Sequence, residues 1–108
     1  MAMVNRFDVF MINLDPSPSA DAKNTRPAVI ISPDEMNHNI HTVIIAPLSS
    51  TQTEFPTRVS VDFLNNKRFV VLDQIRSIDR SRLVKKIGEI DSAARPQIIS
   101  TLSELFAK

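Results

Sequence analysis

Thr57-Arg58-Val59-Ser60-Val61-Asp62-Phe63 alternates apolar and polar residues without a break, the period-two pattern of a strand with one face in a core and the other in water. Val59, Val61 and Phe63 are expected inside, and Arg58, Ser60 and Asp62 outside. Asn65-Asn66 then supplies a turn, and Arg68 to Ile75 reads as the next strand, with a polar Asp73-Gln74 pair near its end. Working back toward the N-terminus, Thr42 to Ala46 is nearly all apolar and β-branched, as in a strand covered on both faces. Ala28 to Ser32 is a further strand, stopped by Pro33, and Phe7 to Leu14 is another, apolar on both faces in its second half. Asp34 to Asn37 reads as a short helical turn or a capped loop between strands.

Toward the C-terminus, Ser77 to Leu83 reads as a single turn of mixed charge and Val84 to Ile90 as a short further strand. Ile98, Ile99, Leu102, Leu105 and Phe106 recur at helical spacing and make one apolar stripe. Asp91-Ser92 is available to cap that helix, and Pro96 fits only in its first turn. Five or six short strands followed by one amphipathic helix predict an α+β domain: a strongly curved antiparallel sheet, in its simplest form a small open barrel, with the helix packed against it.

Composition narrows the function. The 108 residues are enough for one domain with a modest core, and 43% of them are hydrophobic. Thirteen basic and twelve acidic residues leave a net charge of +1, so any nucleic-acid site has to be local. Cysteine is absent, which removes disulfides, thiolate metal sites and Cys nucleophiles. A single glycine disfavours the glycine-rich loops that cradle nucleotide phosphates. No apolar run approaches the roughly 20 residues of a membrane span, so a cytoplasmic protein is the default expectation.

Candidate chemistry gathers at two strand ends. Arg26 precedes Pro27, which fixes its own φ and holds the residue before it extended. An arginine positioned in this way presents a permanent, planar fork of donors suited to a phosphate; the ordinary alternative is a surface arginine entering a strand. Pro47-Leu48-Ser49-Ser50-Thr51-Gln52-Thr53 sets a cluster of hydroxyls on the exit of the Thr42 strand, either as a site or as a turn that satisfies its own backbone. Asp15 to Thr25 has no periodicity and is long for a structureless loop, so it is either functional or a plain connector. Asp73 is placed to pair with an arginine such as Arg76 or Arg26, or to read donor groups on a ligand. His38 and His41 stand three apart in a turn-like segment with no third ligand near them in sequence, which favours solvated histidines over a metal site.

Asn13-Leu14-Asp15-Pro16, Thr25-Arg26-Pro27-Ala28-Val29, Ser32-Pro33, Ala46-Pro47-Leu48-Ser49-Ser50, Pro56-Thr57-Arg58-Val59 and Leu72-Asp73-Gln74-Ile75-Arg76-Ser77-Ile78-Asp79 fall in one order and spacing that resembles the MazF/PemK-type toxins of bacterial toxin-antitoxin modules. The resemblance runs over nearly the whole of residues 1–108. It implies an SH3-like barrel, a homodimer, and a metal-independent, sequence-selective endoribonuclease that cuts single-stranded mRNA without a cofactor. It also implies a cognate antitoxin whose disordered, acidic C-terminal tail occupies the RNA groove.

Carried over by position, the resemblance makes Arg26 and Ser49 the catalytic pair, Ser49 standing where many members have threonine. Asp21 falls where many members carry a glutamate, and Asp73 where an acidic residue contacts a base. Phe55-Pro56 offers an apolar surface for base stacking, unless Phe55 belongs to the core. Lys23, Thr25 and Ser50 complete the expected RNA contacts. Two positions depart from the family pattern: Phe7-Asp8 stands where the first strand usually opens with Gly-Asp or Gly-Glu, and Ala20 where the PemK branch has a histidine. The rival reading is a gyrase poison of the same fold, which grips a protein target and does not cut RNA.

Overall fold

Seven strands, two helices and two 3₁₀ turns make up the computed structural model, which describes residues 3–16, 24–51 and 53–107. In chain order these are β1 (Asp8–Asn13), β2 (Thr25–Ile30), α1 (Asp34–Asn37), β3 (Thr42–Ser49), β4 (Arg58–Phe63), β5 (Asn66–Val71), β6 (Arg76–Asp79), β7 (Leu83–Glu89) and α2 (Arg95–Phe106). The 3₁₀ turns, Leu72–Gln74 and Arg80–Arg82, lead into β6 and β7. The strand order is β4-β5-β3-β2-β1-β7, all antiparallel, with β6 on β3 beside that path. This is the expected curved antiparallel sheet with a C-terminal helix.

The alternation in β4 is realised as written: Val59, Val61 and Phe63 are buried, while Ser60 and Asp62 are exposed. The hairpin to β5 turns one residue earlier than predicted. Leu64 and Asn65 take φ of 51° and 64°, and Asn66 already pairs with Phe63. Two successive left-handed residues match the right-handed twist of the flanking strands; Asn tolerates this conformation, and Leu64 adopts it with its side chain in solvent.

Several boundaries differ from the reading above: β3 runs on to Ser49, and the strand expected from Arg68 to Ile75 spans Asn66–Val71 and gives way to the 3₁₀ turn Leu72–Gln74. β2 begins at Thr25 and not at Ala28, because Thr25, Arg26 and Pro27 pair with Asn13, Ile12 and Met11 of β1. Arg76 to Asp79 is a strand and not part of a turn, since it finds the free edge of β3 from Thr42 to Ile45. α2 starts at Arg95 after Ala94, with no side-chain cap from Asp91 or Ser92, because Pro96 must stand in the first turn. Of its apolar stripe, Ile98 is fully buried and Leu102 packs on the core, but Ile99 is 37% exposed and Phe106 71%.

The core has two parts. One cluster joins Val59, Val61, Phe63, Val70 and Leu72 to Val29, Ala46, Leu48 and Ile98 of the helix. The other lies on the opposite side of the central strands and comprises Val4, Phe10, Ile12, Ala28, Ile30, Val43, Ile45 and Ile78. Side chains of paired residues share a sheet face, and the second cluster follows the ladder row by row: Phe10 with Ala28, Val43 with Ile78, Ile30 with Ile45. Among the described residues, no helix is long and apolar enough to cross a membrane.

Candidate active site

The face that carries the second cluster becomes polar at one end. Ile12 pairs with Arg26 and Ile45 with Arg76, and alternation along β3 returns the same face at Pro47 and Ser49. β2 and β3 pair from Ile30–Ile45 to Ala28–Pro47 and then separate; Pro47 has no N–H to extend the ladder, and β3 continues with β5 through Leu48–Val70 and Ser49–Phe69. A groove of about 760 Å³ opens at this divergence. Its floor is apolar, from Ile12, Ala28 and Ile45, and its walls carry Arg26, Ser49 and Ser50 together with Arg68, Gln74 and Arg76.

Arg26 therefore stands inside a strand, on a backbone pinned by β1. Its side chain is in solvent and donates from Nη1 to the carbonyl of Thr25 at 3.0 Å, leaving the rest of the fork available. Thr25 is half-buried at the start of β2. The Ser49 Oγ accepts from the Thr51 N–H at 3.2 Å and lies 3.3 Å from Thr51 Oγ1. The local turn chemistry is thus present, and with Thr51 donating, the Ser49 O–H proton remains free to turn to a groove ligand.

Arg68, Gln74 and Arg76 were not assigned to the site from sequence. Arg76 reaches it because β6 pairs with β3, a contact between segments some thirty residues apart that no local pattern announces. Among the described residues, three guanidinium groups line the groove and no carboxylate does; this is the local positive field that the net charge of the chain conceals. A second hollow of about 490 Å³ shares Leu14 and Arg76 with it and continues past Asp15 and Arg82. Arg82 fastens the start of the β1–β2 connection by donating to the carbonyls of Asp15 and Pro16.

The remaining predicted residues lie apart from the groove or outside the described chain. Asp73 pairs with neither Arg26 nor Arg76. Arg58 holds it, with Nε and Nη2 each 3.3 Å from a carboxylate oxygen, and Thr57 Oγ1 donates at 3.0 Å. The Arg58 hydrogen bond, ahead of the opposing effect of desolvation, keeps the Asp73 carboxyl below its ordinary pKa. Phe55 is not core: it is 56% exposed, with the Arg58 guanidinium 5.5 Å from its ring centre. Phe55 and Pro56 line another hollow, of about 390 Å³, with Phe69 and Gln97. Asp21 and Lys23 lie outside the described residues. His38 is exposed with Nε2 2.9 Å from Asn5 Oδ1, and among the described residues no three His, Asp or Glu side chains converge as a metal site.

Residues 5–106 match the family model described as the PemK-like, MazF-like toxin of type II toxin-antitoxin systems. The chain is 32% identical over 106 residues to the endoribonuclease MazF of Staphylococcus epidermidis, an alignment that covers 93% of this chain and 88% of that protein. Among solved structures, a MazE–MazF crystal structure from Deinococcus radiodurans superposes with a TM-score of 0.80 at 21% identity, covering 99% of this chain and 98% of the other. An endoribonuclease in complex with its cognate antitoxin, from a mycobacterial species, gives 0.76 at 21% identity, covering 94% and 92%. At such identities the structures establish the shared fold.

Proposed function

The chain belongs to the PemK-like, MazF-like toxins of type II toxin-antitoxin systems, and from that membership together with its arginine-lined groove we propose that it is an endoribonuclease cutting single-stranded mRNA at selected sequences, without a metal ion. The single observation that carries the chemistry is the convergence of Arg26, Ser49, Arg68 and Arg76 on one groove. Such a lining attracts a phosphodiester.

Cleavage then proceeds through the substrate itself. The ribose 2′-oxygen attacks the adjacent phosphorus, the P–O5′ bond breaks, and the products carry a 2′,3′-cyclic phosphate and a 5′-hydroxyl. The 2′-hydroxyl loses a proton and the departing 5′-oxygen gains one. Arg26 meets the growing negative charge on the phosphorane-like state with its free N–H donors. With a pKa above 12 it is unsuited to act as a base, so its part is electrostatic. Ser49 donates to a non-bridging oxygen or orients the nucleophile. Ala20 excludes any mechanism that relies on a histidine at that position.

Base selection is assigned to edges of the unstacked strand, where Asp21 and Asp73 accept from exocyclic amines and Phe55-Pro56 stack a base, with Lys23, Thr25 and Ser50 beside them. A cognate antitoxin with a disordered acidic tail suits the same basic groove, and the active form is a homodimer. The test is incubation of the purified protein with defined single-stranded RNA in EDTA. Cleavage to 2′,3′-cyclic phosphate ends is expected. Intact RNA, or inhibition of DNA supercoiling without RNA cleavage, overturns the reading.

A further inference from the structure

Arg58 opens β4 and, with one guanidinium, joins two segments that border the groove. On one side Nε and Nη2 each lie 3.3 Å from an oxygen of Asp73, in the 3₁₀ turn whose next residue, Gln74, lines the groove. On the other side Nη1 donates to the Thr53 carbonyl at 3.0 Å, in the connection that follows the groove residues Ser49, Ser50 and Thr51. The ring of Phe55, further along that connection, has its centre 5.5 Å from the guanidinium carbon.

Strand register sets this arrangement on the face that carries Ser49. Arg58 and Ser60 share a face of β4 by alternation; Ser60 pairs with Phe69, and Phe69 with Ser49. With strands about 4.8 Å apart and about 3.3 Å of rise per residue, Arg58 stands about 12 Å from Ser49 across the sheet.

Two observations separate Arg58 from an ordinary surface cation. Thr53, Glu54, Phe55 and Pro56 are all exposed, and among the described residues the hydrogen bonds they make all come from Arg58, through its side chain at Thr53 and its backbone N–H at the Phe55 carbonyl. Its partner Asp73 is 31% exposed, a setting in which an ion pair adds little to stability. What the pair does supply is direction, because a planar fork with two bonds to one carboxylate sets an angle as well as a distance.

We propose that Arg58 is a positioning residue for base selection: it holds Phe55 and Asp73 in a fixed relation, so that RNA flanking the cut meets a stacking surface and a hydrogen-bond acceptor already ordered. The inference rests on the ribonuclease reading above, in which Phe55 and Asp73 meet bases, and adds what keeps them in place. Binding then has fewer side chains to immobilise. A base that fits both groups gains from that order and one that does not fit gains nothing, so the effect falls on selectivity and KM more than on the chemistry at Arg26 and Ser49.

The test is a pool of single-stranded RNAs randomised on both sides of the site that the wild type cuts, digested in EDTA and read by sequencing the cut ends. The constants kcat and KM are then measured on one preferred and one disfavoured sequence. Arg58→Gln is expected to narrow the ratio of kcat/KM between them about three- to tenfold, the scale of one side chain left to be ordered on binding. On the preferred sequence it should raise KM by a larger factor than it lowers kcat. Arg58→Lys keeps the charge and loses the fork, so it should restore only part of the ratio, and it carries the test if Arg58→Gln does not fold. An equal loss on both sequences, the result of a merely structural role, overturns the proposal alone, as does full selectivity in either variant. A wild type that cuts all sequences alike overturns base selection and this inference with it, and one that cuts none overturns the ribonuclease reading as a whole.

Discussion

Arg26 and Ser49 stand opposite each other across the point where β2 and β3 part: the register that pairs Ala28 with Pro47, extended by two residues, brings them face to face on the walls of one groove. Both side chains hang from strand backbone, and a guanidinium and a hydroxyl fixed in this way can hold one phosphate from two directions without a reorganisation cost at the moment of reaction.

Arg26→Ala should therefore lower single-turnover cleavage of single-stranded RNA about 100- to 1,000-fold, the scale of losing one preorganised donor to a developing oxyanion. Arg26→Lys should recover only part, since the planar fork is lost. Ser49→Ala should cost about tenfold, and Ser49→Thr close to nothing, because the hydroxyl remains. Cleavage by Arg26→Ala within twofold of the wild-type rate would remove Arg26 from the chemistry.

Asp73 and Arg58 make the next prediction. The Asp73 carboxyl titrates below its ordinary 3.8 because Arg58 and Thr57 donate to the charged form. A depressed folded-state pKa stabilises the fold above the ordinary value, and that contribution is lost as pH falls through the lowered one. The side chain is 31% exposed, so the gain at neutral pH is small, about 0.5 kcal/mol once solvent screening is allowed for. Asp73→Asn should melt slightly below wild type at pH 7, and the gap should close as acidification passes through that lowered pKa. A gap that persists unchanged in acid would mean that the ion pair is not its source.

The sheet was readable wherever its signal was local. Val59, Val61 and Phe63 announced their face because side-chain direction in a strand depends only on odd and even position, and Ile98 and Leu102 likewise declared the buried side of α2. Ile99 and Phe106 belong to the same stripe by spacing, yet both are exposed. Long-range pairing was not readable. β6 is four residues, too short for a periodic signal, and it exists because β3 offers an edge. The same limit hid the groove's extent: strand ends and hydroxyl density left Arg26 and Ser49 open between a site and ordinary surface until the family resemblance paired them, whereas Arg68 and Arg76 join them only through pairings made in three dimensions. Asp73 took Arg58 as its partner because β4–β5 pairing sets Arg58 against Val71, two residues away from it.

Gly88, the one glycine of the chain, is required by Phe63. A Cβ built at Gly88 would lie 2.9 Å from both Cε1 and Cζ of that ring, and the φ of +158° is itself one that L side chains rarely adopt. The ring is buried among the first core cluster and has little room to retreat. Gly88→Ala should destabilise by about 1–3 kcal/mol, as overpacked cores do, which is a fall in Tm on the order of 5–15 °C for a domain of this size. Phe63→Leu, harmful alone, should cost less in the Gly88→Ala background than in wild type. Additive losses in the double variant would show that the two positions do not meet.

Phe7 offers the sharpest reversal of an ordinary rule. It stands where the family usually has glycine, and its φ is +75°, a left-handed conformation that is a genuine outlier for a bulky residue. Its backbone is held there from both sides: the Phe7 N–H donates to Ile30 at 2.7 Å, and the Ile90 N–H donates to the Phe7 carbonyl at 2.9 Å. Burial of the ring, only 9% exposed and with the Arg95 guanidinium 5.1 Å from its centre, offsets the strain. Removing the ring costs about 3–5 kcal/mol, more than the 1–2 kcal/mol that relief of the conformation can return, so Phe7→Gly should melt below wild type. In extended or helical backbone, alanine is the more stabilising of the two small residues by about 0.5–1 kcal/mol. Here the order should invert, with Phe7→Gly more stable than Phe7→Ala by about 1 kcal/mol in urea unfolding, because both lack the ring and only alanine keeps the strain. If Phe7→Ala proves the more stable, the left-handed conformation at this position is not maintained in solution.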